Sequence, residues 1–492
     1  MAGSCKDAGM HFLYHFIINN AAPFVITFFY LTVTVSCAMH ILLYKEDIKG
    51  AISWLGIVFL SPFIGAILYV FLGINRVRRK AARLRKKGSI TDKIPKEKLK
   101  VIAEQMPRQF VQYMAYGHNV HPQNFAAGNS VKPLQNGTQA YPEMVEAIKN
   151  AKHEVLIESY IFDYDSETEK ILEACKTAIS NGASVKILAD GIGIIGPGST
   201  AIEPRLKKIQ GLKYGIFLPP HIPVALPFVN MRNHRKIMII DGNTAFFGGM
   251  NLALENTLTD DRKKGVQDIT FKVEGPVVDQ MSQVFEDDWE FTTGKPMYGY
   301  SKNLPYNPKG SIPARIIPDG PDNKQGKIEL IAQGAINTAS KKITIVTPYF
   351  LPENNILTSI EMAAMRGVEA EIIIPSKTDS IIADWAMEPN FAKLIERGVK
   401  IYKTHPPFDH SKYFVVDDAW VFIGSANWDV RSFRLHFECN MELLSKELAV
   451  ELIAITENKK KKSRAATIEK SKKLHFLKRI RNNACRLLTP YY

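Results

Sequence analysis

The chain has 492 residues and a formal charge of +14, from 63 Lys+Arg against 49 Asp+Glu. That length allows two or three domains with substantial cores, and the charge calls for an acidic partner such as anionic lipid or nucleic acid. Five cysteines, an odd number with no C-x-x-C pair, argue against a disulfide scaffold and for reduced thiols, and no His/Cys cluster has the spacing of a structural zinc site.

Two apolar segments come first. Pro23 to Tyr44 is interrupted only by Thr, Ser and His, and Ala51 to Gly73 carries no charge; each is long enough to cross a bilayer. The first lacks the basic flank and small-residue cleavage site of a signal peptide. Only Lys45 to Gly50 separates the two, which predicts a two-helix transmembrane hairpin over 1–75. Arg76, Arg78, Arg79, Lys80, Arg83, Arg85, Lys86 and Lys87 follow. Positive-inside logic puts them, the N-terminus and everything downstream in the cytoplasm. Residues 76–130 read as this basic segment and a connector with little periodicity, ending in a loop.

The first half of the remainder, 131–305, reads as helix (Ala140 to Ala151), strand (Glu154 to Phe162), helix (Glu167 to Asn181) and strand (Ser184 to Asp190). The second half, 306–456, repeats that order. Lys342 to Phe350 is a strand, Asn355 to Arg366 a helix and Glu369 to Pro375 a strand. The alternation predicts α/β architecture with mixed sheets and an internal duplication. Phe217 to Val229 holds four prolines, which exclude a regular helix or central strand. It reads either as a loop covering the core or as an apolar lip meeting acyl chains. In the tail, 457–492, Leu474, Phe476, Leu477, Ile480 and Leu487 interleave with Lys472, Lys473, Lys478, Arg479, Arg481 and Arg486. This pattern predicts a basic amphipathic helix at an anionic membrane surface.

The strongest signal is a repeated motif. Asn233-His234-Arg235-Lys236 runs through Asp241-Gly242 to Gly248-Gly249-Met250-Asn251, and His410-Ser411-Lys412 runs through Asp417 to Gly424-Ser425-Ala426-Asn427. Both copies read His-x-Lys-x4-Asp-x6-Gly-[Gly/Ser]-x-Asn. Each predicts a β-hairpin. With two-residue turns at Gly242-Asn243 and Asp418-Ala419, His234 falls opposite Asn251 and Lys236 opposite Gly249. His410 likewise falls opposite Asn427, and Lys412 opposite Ser425. Lysine charge and neutral Asn and Ser donors make a phosphate site, with one imidazole to attack phosphorus and a second to protonate the leaving oxygen. One such His-x-Lys would be an unremarkable surface pair; two with identical spacing point to function. Asp241 and Asp417 complete the motif and, at the turn tips, read as structural caps.

These paired motifs resemble those of the phospholipase D superfamily, and the chain from about residue 50 onward is similar to its cardiolipin synthase branch. Trp54-Leu55 through Pro62, Ser432 to Asn440 and Arg486 to Pro490 carry that similarity beyond the motifs. The resemblance implies two tandem phospholipase D-like α/β halves packed pseudo-symmetrically around one site. It also implies that Asp268 and Glu438 hydrogen-bond the histidines across the halves. The chain reads Val266-Gln267-Asp268-Ile269-Thr270 where the family has Trp-Arg-Asp-x-His. The implied reaction is a double displacement through phosphohistidine, with His234 as nucleophile and His410 as acid/base by analogy, although the near-symmetric motifs do not themselves distinguish the two. Lys236, Lys412, Asn251, Asn427 and Ser425 would hold phosphate oxygens. The chemistry requires no metal or cofactor. The resemblance further implies transfer between two phosphatidylglycerol molecules at a bacterial plasma membrane, with glycerol released. A membrane-bound phospholipase D, a phosphodiester nuclease and an inactive scaffold are the other classes. The two spans and basic tail argue against nucleic acid, and the intact motifs against a scaffold. Oligomeric state is left open.

Overall fold

The computed structural model describes residues 22–45, 48–73, 108–195, 201–219, 231–258, 265–300, 307–321, 326–469 and 474–489. The chain divides into two units, Met1–Arg79 and Lys80–Tyr492. The basic cluster at 76–87 lies outside the described residues, as does the proline-rich stretch from Pro220 to Asn230.

In the first unit, helix α1 (Ala22–Tyr44) is uncharged and exposes apolar side chains on most of its surface. Pro23–Tyr44 is the one helix among the described residues long and apolar enough to cross a membrane. The second expected span is not one helix. It forms α2 (Ile48–Leu60), then α3 (Pro62–Leu68), then a π-helical turn at Tyr69–Gly73. The break falls at Ser61, whose backbone (φ −144°, ψ 74°) leaves the helical region. The following Pro62 disfavours helical geometry at the residue before it. His40 Nδ1 lies 2.8 Å from the Tyr69 hydroxyl, tying α1 to the end of this broken segment.

The second unit is built from β-branched runs that bury both faces, the pattern of strands covered by helices. Its first half contributes β1 (Ala126–Gln135), β2 (Glu154–Ser159), β3 (Ser184–Asp190), β4 (Lys213–Phe217), β5 (Ile237–Ile240), β6 (Thr244–Gly248), β7 (Val266–Gln267) and β8 (Ile269–Glu274). The second half contributes β9 (Ile312–Asp319), β10 (Lys342–Val346), β11 (Phe350–Leu351), β12 (Glu369–Pro375), β13 (Lys400–Thr404), β14 (Phe408–Asp409), β15 (Tyr413–Val416), β16 (Trp420–Gly424), β17 (Trp428–Asp429), β18 (Glu438–Leu444) and β19 (Ser463–Ala465). Fifteen of these strands form one mixed sheet, ordered β19-β13-β12-β10-β15-β16-β18-β9-β1-β8-β6-β5-β2-β3-β4. Outward from the central β9–β1 pair, β1-β8-β6-β5-β2-β3-β4 repeats as β9-β18-β16-β15-β10-β12-β13. The duplication is therefore a pseudo-two-fold relation within a single sheet.

Helices cover the sheet. Arg108–Val120 is α4, Asn136–Lys149 α5, Ser166–Ser180 α6, Val277–Thr293 α7, Lys327–Thr338 α8, Asn354–Met365 α9, Ile381–Glu396 α10, Lys446–Lys461 α11 and Phe476–Leu487 α12. Each half keeps its own apolar core, and a third cluster is shared. Val277, Met281 and Phe285 of α7 and Leu448 and Leu452 of α11 pack there with strand residues of both halves. The expected structureless connector before Val131 is instead α4 followed by the start of β1. Tyr113 and Met114 of α4 are buried, and the Tyr113 ring packs edge-on against Trp420, 5.8 Å between centroids. That spacing of apolar residues is helical but short, which is why the sequence around it reads as a loop.

At the central joint, Arg315 on β9 faces Glu442 on β18, with Nε to Oε2 at 2.6 Å. Glu442 also accepts from the Trp420 indole at 2.8 Å. Both charges are almost wholly buried, so removing one strands the other without water. Arg315→Met is expected to lower unfolding free energy by about 3–5 kcal/mol in a denaturant titration; a loss below about 1 kcal/mol would contradict this role.

Candidate active site

The repeated motifs form hairpins β5–β6 and β15–β16, with pairing Ile240↔Thr244 and Val416↔Trp420. The turns thus hold three residues rather than two, and the register differs by one from the sequence expectation. Asp241 (φ 48°), Gly242 (φ 66°), Asp417 (φ 51°) and Asp418 (φ 54°) take left-handed conformations, which Asp and Gly tolerate. His234 and Asn251 are therefore not a ladder pair; both lie beyond the hairpin's regular strands.

What places the histidines is the opposite half. His234 N donates to Phe437 O at 2.9 Å, and His410 N donates to Gln267 O at 2.7 Å. These bonds belong to equivalent short ladders, the bridge Asn233↔Phe437 and the parallel pair β7–β14. The carboxylates cross the same way. His234 Nδ1 lies 3.0 Å from Glu438 Oε1, and His410 Nδ1 lies 2.8 Å from Asp268 Oδ2. A carboxylate accepts, so Nδ1 carries the proton and Nε2 is left with its lone pair.

His234, His410, Asn251 and Asn427 line one cleft of about 450 Å³, together with Tyr160, Val266, Tyr349, Asp379, Phe408, Arg431 and His436. Lys236 and Lys412 stand behind their histidines, each ammonium bonded to the histidine carbonyl two residues earlier at 2.7 and 2.8 Å. Ser425 does not face the cleft as a phosphate donor. It is fully buried, its hydroxyl donates to Glu438, and it accepts from Cys439 N at 3.0 Å. Its counterpart Gly249 leaves room for Lys412, since a Cβ there would sit 3.1 Å from Nζ. Asp241 and Asp417, the motif aspartates read from the sequence as turn caps, lie at the far tips. Asp241 accepts from the backbones of Lys152, His153 and Glu154, all at 2.8 Å. Asp417 accepts in the same way from Ser340, Lys341 and Lys342. They fasten the hairpins to β2 and β10 and touch no reacting group.

Burial sets the electrostatics. It pulls His234 well below 6.5, with Glu438 opposing, and lowers His410 with help from Lys412. Lys236 is drawn down to about 7 and Lys412 to about 8, again by burial first. Burial alone would raise the Glu438 carboxyl, but the His234 imidazole outweighs it and holds the group well below the carboxylate range.

Residues the motif reading passed over complete the site. Arg235, buried beside His234, pairs with Asp288 and reaches across to Glu438 O at 3.0 Å and Asp319 O at 3.1 Å. Its place inside the motif, between His and Lys, was the available signal. His436 sits with its ring centre 5.5 Å from that of His234. His234, His436 and Glu438 could together ligate a cation, their candidate atoms lying within 4.8 Å of one another. The two ammonium groups behind the cleft oppose one.

Against known proteins, residues 144–289 and 333–459, more than half of the chain, match the family model described as cardiolipin synthase, PLD-like domain. The chain belongs to this phospholipase D-like family. Residues 32–73 match a second model, the phospholipase D-nuclease N-terminal segment. Among family relatives, cardiolipin synthase 1 of Bacillus cereus is 30% identical over 90% of this chain and 89% of its own. The cardiolipin synthase of Geobacillus thermodenitrificans is 29% identical over 83% of each. In fold, the crystal structure of phosphatidylserine synthase from Haemophilus influenzae matches 77% of this chain and all of its own, with a TM-score of 0.61 at 15% identity.

Since kcat/KM reports ionisations of the free enzyme, the lowered His234, reactive only when neutral, places its acid limb below pH 6.5. Loss of ammonium charge at about 7 and about 8 places the alkaline limb there. A pH–rate profile on an anionic phosphodiester is expected to peak between them. A plateau extending past pH 9 would contradict depressed lysines.

Proposed function

We infer that this protein is a cardiolipin synthase that moves a phosphatidyl group from one phosphatidylglycerol to another and releases glycerol. One observation carries the reading. Two motif histidines, one from each half, face a single cleft, and each is backed by a carboxylate of the other half. That is the equipment for a double displacement.

In this reading His234 Nε2 attacks phosphorus and the P–O bond to glycerol breaks. His410 gives its proton to the departing alkoxide. The entering phosphate supplies the negative charge that returns the proton to His410 and full charge to the lysines. Neutral again, His410 takes the proton of the incoming hydroxyl, whose oxygen attacks phosphorus and displaces His234. Lys236, Lys412, Asn251 and Asn427 stabilise the charge on the non-bridging oxygens; Asp268 and Glu438 hold the imidazoles.

The substrate is a membrane lipid, and two surfaces support delivery from a bilayer. We assign residues 1–75 to anchoring, with the basic cluster cytoplasmic and the broken second segment returning the chain to that side. The halves at 131–305 and 306–456 form the catalytic region, and 457–492 is an interfacial tail. Helix α12 packs its polar side inward. Arg481 lies 3.9 Å from the Trp385 ring centre, Arg486 bonds Asn390 at 3.1 Å, and Asn482 is buried. Phe476, Leu477, Ile480 and Leu487 are left outward and exposed beside Lys478 and Arg479. Thr489, just past the helix, lines the cleft. Such a face suits an anionic lipid surface.

Two measurements test the reading. Membranes carrying the full chain, given labelled phosphatidylglycerol, are expected to yield cardiolipin and glycerol in equal amounts. His234→Ala should lower the rate at least ~10³-fold, within the range for loss of an essential nucleophile. Phosphatidic acid without cardiolipin would reassign the protein to a hydrolase. The double variant Leu477→Glu, Ile480→Glu is expected to cut activity on anionic vesicles about tenfold while sparing short-chain monomeric lipid. Equal loss on both substrates would contradict interfacial docking.

A further inference from the structure

The pseudo-two-fold makes equivalent positions comparable. Phe437 and Gln267 offer the carbonyls that receive the two histidine amides. The residues just before them, His436 and Val266, therefore occupy equivalent places, and both line the cleft. Beside His410 stand Val266 and the Phe408 ring, which offer no side-chain hydrogen bond. Beside His234 stands an imidazole.

That imidazole faces Glu438 without a hydrogen bond to it. His436 is 9% exposed, and neither ring nitrogen has a hydrogen-bond partner among the described residues. Its Nδ1 lies 3.7 Å from Glu438 Oε1, beyond hydrogen-bond reach. A buried polar group left unsatisfied is costly, and proteins retain few of them. A cleft-lining one is satisfied when substrate brings its partner.

We propose that His436 is a third working imidazole, one that donates an N–H to a non-bridging phosphoryl oxygen while phosphorus is bonded to His234. No bond to His436 forms or breaks; it adds a fixed donor where charge develops, as Lys236 and Asn251 do. The two half-sites then differ in kind. One adds a third imidazole to its lysine and asparagine, and the other has Val266 at the equivalent place, leaving His410 to Lys412 and Asp268. The proposal rests on the phosphatidyl-transfer reading above.

The test compares full-length wild type with His436→Phe, which removes both nitrogens at similar size, and His436→Asn, which restores an N–H. Each receives phosphatidylglycerol labelled at phosphorus. Reactions are quenched in alkali, which spares phosphohistidine, and protein-bound label is counted beside kcat, KM and Tm. A preorganised donor is worth about 10²–10³ in kcat at its strongest. His436→Phe is expected to lose about 100-fold in kcat and most of the bound label, with KM changed less than threefold. His436→Asn is expected to recover to within about tenfold of wild type. A kcat for His436→Phe within threefold of wild type would overturn the proposal. So would equal impairment of both variants, which marks a packing role. Wild type that takes up no label would overturn the transfer reading, and this proposal with it.

Discussion

Each motif histidine in the cleft is held by a carboxylate from the other half of the chain: His234 by Glu438 and His410 by Asp268. This crossing constrains everything around it. Neither half contains a complete site, so the halves must meet in one orientation, and much of the architecture serves that meeting. The sheet runs unbroken through the β9–β1 pair, and α7 and α11 share one apolar cluster. A buried arginine reaches across the seam. Arg235 of the first half, paired there with Asp288, donates to the carbonyl oxygens of Glu438 and Asp319 in the second. A charge buried in this way contributes little net stability, but it penalises any alignment that strands it.

The same burial that fixes geometry also tunes charge. The two histidines and two lysines of the motifs are packed together with Glu438 and Asp268. Burial and mutual repulsion push both histidines toward the neutral form and soften both lysines. In the proposed mechanism a neutral His234 has the lone pair that attack on phosphorus needs, and the arriving phosphate favours protonation of His410 and recharges the lysines. Substrate binding and activation would then be one electrostatic event.

Much of this was legible in the chain. The strands Ser184–Asp190 and Glu369–Pro375 match their sequence-derived bounds, because continuous β-branched runs flanked by turn residues are a strong local signal. The identical spacing of the two motifs announced both histidines. Asp268 and Glu438 came only through the family resemblance, since pairing across the halves has no local signature. The hairpin register was off by one because left-handed Asp residues lengthen each turn, a property that a two-residue turn rule does not anticipate. Ser425 reads as a phosphate donor because the expected register sets it opposite Lys412, yet its hydroxyl is spent on Glu438. The second apolar segment was read from hydropathy alone, which is blind to the backbone break that Pro62 imposes. His436 has no signal in the sequence, because a single histidine two residues before an acid carries no periodic or spacing pattern; only the fold sets it against His234.

The central claim is that the two halves form one site that carries the phosphatidyl group covalently between donor and acceptor. Exchange of labelled glycerol into phosphatidylglycerol tests this most directly, because a phosphatidyl-enzyme gives glycerol a route back into the donor lipid. The account predicts steady exchange by the wild type and none by His234→Ala. It predicts a loss of about 100-fold or more from Glu438→Gln and from Asp268→Asn alike, comparable to disrupting the carboxylate partner of other reactive histidines. Cardiolipin formation without glycerol exchange, or carboxylate variants that exchange at the wild-type rate, would contradict it.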